Sequence, residues 1–200
     1  QGVTSFDTNG FTLGSDADSN MNNKTHVAWC WKAGGAAVSN TDGSVTSQVS
    51  ASTDYGFSIC TFTSPSTGNF TLGHGLSSVP SLIFMKEKAA GRNWHVFHSS
   101  ISTGTNKYLR LNGTNSTLTY SNVWGDALPT SSVFGLGVSG SISANAEAVA
   151  YVWSEVAGFS KFSSYTGNGG SNSITGLGFK PKYVLMKCST KATSWMIADS

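Results

Sequence analysis

The sequence predicts an all-β protein assembled from β-sandwich, jelly-roll or barrel units, and three observations carry that prediction. No stretch holds a sustained 3.6-residue apolar period between helix caps. Short apolar or alternating runs, "SLIFMKE", "NWHVFHSS", "KYLRLN", "AVAYVWSE" and "PKYVLMK", are instead separated by clusters of Gly, Asn, Ser and Pro, the punctuation of many short strands. The chain also repeats itself, which sets the size of its unit at about a hundred residues.

Two echoes define that repeat. "HVAWCWKAGG" at 26–35 is answered by "AVAYVWSEVAG" at 148–158, aligning Val27, Ala28, Trp29, Cys30 and Trp31 with Val149, Ala150, Tyr151, Val152 and Trp153. Upstream of each lies a matching "GFTLG" (10–14) and "VFGLG" (133–137). The segment 56–99 is answered by 158–200 through Gly56/Gly158, Phe57/Phe159, Phe62/Tyr165, Pro80/Pro181, Met85/Met186, Lys86/Lys187 and Trp94/Trp195. Residues 1–35 therefore read as the end of one unit, 56–158 as a complete unit, and 159–200 as the beginning of a third. The stretch 36–55, poor in large apolar side chains, reads as a linker or surface hairpin around "NTDG". A chain opening at Gln1 with units cut at both ends is expected to be a window on a longer tandem array.

Composition narrows the function. Charged residues are only 11% of the chain and the formal net charge is +2, so no basic face is available for a phosphate backbone. Nucleic acid is not an expected partner. No apolar run is long enough for a membrane span, and no charged n-region precedes an apolar core as in a signal peptide. The three cysteines leave at least one unpaired within the chain. Cys188 is matched by Glu87, while Val152 for Cys30 and Phe162 for Cys60 point to small apolar fillers rather than a disulfide framework or reactive thiols.

Enzymatic chemistry finds little support. Glu147 and Glu155, placed on one extended strand, would stand about 26 Å apart, whereas glycosidase carboxylates work within about 10 Å of each other. His95 and His98, three apart, face opposite sides of a strand and suit no shared metal. The repeat puts Met196 and Asp199 in their places, so the fold demands neither imidazole. "DADSNMNN" at 16–23 spaces oxygen ligands like the start of a calcium loop but lacks the glycine and the closing acid, which are Met21 and Val27 here. No metal, cofactor or enzyme activity is expected.

Sugar binding fits the inventory better, because neutral glycans are held by aromatic faces and by amide and hydroxyl hydrogen bonds. Trp124 in "SNVWGDALPT" stands among turn residues and is expected to be exposed, with Asn122 and Asp126 as hydrogen-bonding neighbours. Trp94 and its counterpart Trp195 read first as buried anchors, and otherwise as sugar-stacking plates. Trp29 and Trp31 keep their aromatic character in the echo while the cysteine between them becomes valine. That pattern assigns both rings to the core, where truncation of either to alanine costs ~3–5 kcal/mol.

The phrases "FDTNGFTLGSDADSN", "VAWCWKAGG", "NTDGSVTSQVSA", "GHGLSSVPSLIFMK", "NWHVFHSS" and "EVAGFSKFSSYTGNG", in this order, resemble the tandem repeats of tail-fibre and other virion-appendage proteins of marine bacteriophages, the cyanophage type especially. They cover most of the chain. The resemblance implies a lectin-like sandwich (concanavalin- or laminin-G-like) in an extracellular virion fibre that attaches to a host-cell-surface glycan or receptor, in a homo-oligomer such as a trimer. The alternatives are a ligand-free fibre-shaft or capsid-decoration spacer, then a cell-surface adhesin, and last a glycan hydrolase. The resemblance carries over no binding residue.

Overall fold

The computed structural model describes residues 2–89, 91–102 and 104–199. The chain divides into two compact units, Gln1–Trp31 and Lys32–Ser200. Among the described residues every regular element is a strand, so the all-β prediction holds.

The first unit is a hairpin with a tail. β1 (Val3–Asp7) pairs antiparallel with β2 (Gly10–Leu13) across a two-residue turn. Asp7 fastens the turn by accepting the Thr12 hydroxyl at 2.8 Å. The acidic stretch that follows is a polar turn: Asp16 Oδ2 accepts the Ser19 hydroxyl at 2.7 Å, and Asn20 Nδ2 donates to the Gly14 carbonyl at 2.8 Å. Residues 24–34 adopt no strand.

The second unit is a sandwich with unequal layers. Its large sheet is built from β3 (Val38–Asn40), β4 (Ser47–Ser52), β5 (Phe57–Thr63), β7 (Leu82–Glu87), β8 (His95–His98), β9 (Lys107–Arg110), β10 (Leu118–Thr119) and β12 (Glu147–Trp153). They lie in the order β10-β9-β8-β7-β12-β5-β4-β3, each neighbouring pair antiparallel. The small layer pairs β6 (Asn69–Gly73) with β11 (Val133–Gly137). A last hairpin joins β13 (Tyr183–Met186) to β14 (Met196–Asp199).

Period-two alternation decides what each strand buries. On β12, Ala148, Ala150 and Val152 are fully buried, together with Cys60, Ile83 and Met85 on the flanking strands. The same core takes in Phe70, Leu72, Phe134 and Leu136 from the small layer. The glycine landmark at the foot of β5 is required: Gly56 has φ +59, and a Cβ there would lie 2.5 Å from the Ser154 carbonyl. Its repeat partner Gly158 also has positive φ, +75.

Three sequence expectations can be set beside the structure here. The stretch 36–55, expected as a linker or surface hairpin, contains the β3–β4 hairpin, which extends the large sheet and buries Ser47 and Val49. Residues 159–199, read as the beginning of a further unit, hold β13 and β14 and lie within the Lys32–Ser200 unit. Trp29 and Trp31, expected in the core, are 42% and 51% exposed. The error lay in the choice of face. In the echo strand β12 the core side is Ala148, Ala150 and Val152, so Cys30 matches the core side, while Tyr151 and Trp153 point to the outer face and are half-buried. Segment 27–31 moreover forms no strand.

Candidate binding cleft

Cross-strand pairing brings together residues that the sequence keeps apart. His95 on β8 lies opposite Arg110 on β9, and the His95 and Tyr108 rings approach to 5.0 Å. With Arg92, Asn93 and Tyr120 they line a cleft of about 240 Å³, closed by Ser139 and Gly140. His95 is only 8% exposed, and burial, then the Arg110 and Arg92 charges, push its imidazole down to about 4. The ring is therefore neutral at physiological pH.

Among the described residues, two buried polar atoms in this cleft, His95 Nδ1 and Arg110 Nε, have no hydrogen-bond partner. Arg92 is partly engaged, its Nε 3.4 Å from Glu87 Oε2, and that oxygen also accepts the Ser143 amide at 3.0 Å. Arg110 has no ion-pair partner among the described residues. A buried donor without an acceptor is costly, so this is where the molecule has binding capacity to spend. A second cleft of about 240 Å³ beside Thr46, Gln48 and Thr61 differs: its charges, Lys88 and Glu147, face each other at 3.7 Å.

Residues 1–200 match the family described as Domain of unknown function (DUF7483). The chain belongs to that family. No curated protein and no solved structure matches it. In this DUF7483 chain the residues singled out from the sequence fall into three different environments.

Trp124 is not an exposed plate. It is 1% exposed, with its indole Nε1 donating to the Lys107 carbonyl at 2.8 Å and its ring edge-on to Phe97 at 5.5 Å. The turn residues around it curl the backbone so that the ring enters the core, which leaves no face for a sugar. Asn122 (φ 60) and Asp126 (φ 58) are the exposed shoulders of that turn. With its amide nitrogen turned toward Asp126, Asn122 donates to both carboxylate oxygens at 3.0 and 2.9 Å, and Asn69 Nδ2 adds a third bond at 2.8 Å. These groups are brought together, but largely satisfy one another.

Trp94 is half-buried on the outer face of the large sheet. It stacks on Tyr151 at 6.1 Å and 23°, and Tyr151 continues to Trp153 at 6.4 Å. Trp153 in turn packs on Phe57 at 4.9 Å and Phe84 at 5.0 Å. Asparagine amides flank Trp94: Asn112 Oδ1 accepts the Trp94 amide at 3.0 Å, and Asn112 Nδ2 donates to Asn93 Oδ1 at 3.1 Å. The repeat partner Trp195 is an anchor, donating to the Arg110 carbonyl at 2.8 Å.

His98 is on the opposite face from His95, as their spacing requires. Among the described residues no group of three or more His, Cys, Asp or Glu could hold a metal ion, and no helix is long and apolar enough to cross a membrane. All three cysteines are free. Cys60 is the apolar filler expected, its thiol pushed up to about 11 by burial. Cys30 and Cys188 are exposed instead. Arg92, Tyr108, Arg110 and Tyr120 are not among the residues singled out from the sequence, where His95 stands only as an imidazole the fold does not demand. The usable signal is the alternation of "NWHVFH" and "KYLRLN", but the register between them is not stated by either run.

Proposed function

We propose that this chain is part of a virion fibre, of the phage tail-fibre kind, and contributes to host-surface attachment by binding glycan. The observation that carries the reading is the outer-face stack of Trp94 on Tyr151, flanked by the Asn93 and Asn112 amides. An aromatic face bordered by amides is suited to the apolar face and hydroxyl rim of a sugar ring. The low charge of the chain and its resemblance to virion-appendage repeats support the same reading. Weak sites repeated along a fibre gain avidity through multivalency.

A glycan array probed with the full chain tests this. Binding is expected, and Trp94→Ala is expected to weaken it about tenfold with the melting transition preserved. Retained binding in that variant removes Trp94 from the site. The spacer reading has its own support in the bonds that tie residues 187–195 to 110–117, including Thr117 N to Ser189 O at 2.8 Å and Thr193 N to Thr114 O at 2.9 Å. A spacer captures no glycan on the array.

A further inference from the structure

We propose that the cleft between β8, β9 and the 139–140 turn binds the anionic substituent of an acidic glycan, a carboxylate or a sulfate ester. This proposal deepens the attachment reading and rests on it for the sugar, though not for the anion. The cleft presents donors in excess of acceptors. Arg110 Nε is buried and unpartnered, and a guanidinium fork matches a carboxylate or sulfate oxygen pair better than any other side chain. His95 Nδ1 is the second unpartnered atom, on a side chain nine-tenths buried. The Asn93 backbone also draws on this ring, and in the tautomer with the proton on Nδ1 the neutral imidazole donates to the ligand without adding charge.

The local charge balance points the same way. Glu87 is the acid beside the cleft, and its Oε2 already takes Arg92 Nε and the Ser143 amide. Arg110 is thus left as an uncompensated half-buried cation, a poor arrangement unless an anion arrives. Tyr120, 50% exposed at the mouth, can add a hydroxyl contact, and a cleft of about 240 Å³ is on the scale of one sugar residue rather than of a polymer backbone. The full chain carries a net charge of only +2, so the selectivity is local and does not arise from a basic surface.

The test titrates the full chain with methyl β-D-glucuronide, glucose 6-sulfate and methyl β-D-glucoside, following heat and the His95 ring nitrogens by NMR. At least one anionic probe is expected to bind about tenfold tighter than the glucoside and to shift the His95 resonances; which one does so separates carboxylate from sulfate. Arg110→Met is expected to bring that probe to the glucoside level. Tyr120→Phe, at an exposed position that tolerates change, is expected to weaken it severalfold with the fold intact, and serves if the arginine variant does not fold. Equal binding of all three probes, or no movement of the His95 resonances, overturns the anion site and leaves its buried donors to water, while glycan capture on the array still upholds attachment. Anion binding without glycan capture keeps the site and removes the attachment reading.

Discussion

Val27–Trp31 and Val149–Trp153 carry nearly the same letters and have opposite fates. The second is the centre of an eight-stranded sheet, held by β5 on one edge and β7 on the other, with Val152 fully buried. The first adopts no strand, and its Val27 is 74% exposed. An alternating run fixes which side chains share a face, but a strand is completed by its neighbours' backbones, and a pattern alone supplies none.

The sharpest way to break this comparison is to place one charge at matched positions. Val152→Asp puts a carboxylate on the core side, with no partner, and is expected to cost at least 4 kcal/mol or abolish folding. Cys30→Asp, its repeat equivalent, is expected to change stability by less than about 0.5 kcal/mol. Urea unfolding of both variants decides it, and equal losses would mean that 27–31 is packed as a strand after all.

A second contrast is between His95 and its repeat partner Met196, which is 64% exposed. The folded pKa of His95 lies near 4, below its ordinary 6.5. Protonation is therefore disfavoured in the fold, so this contribution is fully present above pH 6.5 and is lost as pH falls through 4. The loss amounts to about 3 kcal/mol. Melting curves between pH 7 and 4 should fall more steeply for the native chain than for His95→Gln.

The smallest effect is a difference in reactivity. Cys60, with its thiol near 11 and no exposure, should resist alkylation at pH 8 in the native state, whereas exposed Cys30 and Cys188 should be modified. Mass spectrometry reads the sites directly. Modification of Cys60 at the rate of the other two would show that the β5 edge of the core opens readily.

The fold class was legible because strand alternation and turn letters are local signals. The glycine landmarks were legible too, since Gly56 and Gly158 both occupy positive φ. What failed was the step from a turn to the direction of a ring. Asn122 and Asp126 mark where the backbone bends around Trp124, but whether the indole leaves or enters the core depends on the Lys107 carbonyl that receives it. The anion cleft was hidden for a related reason. His95 and Arg110 are neighbours only through a register that no single stretch of sequence states.

Arg110 also has a mechanical consequence. Its side chain lines the cleft while its carbonyl receives the Trp195 indole, beside the bonds that join 187–193 to 114–117. Tension applied near residue 195 therefore enters the sheet at β9 by a short cut, and residues 154–182 stay slack until those bonds part. Pulling on that end of the chain loads the wall of the cleft first.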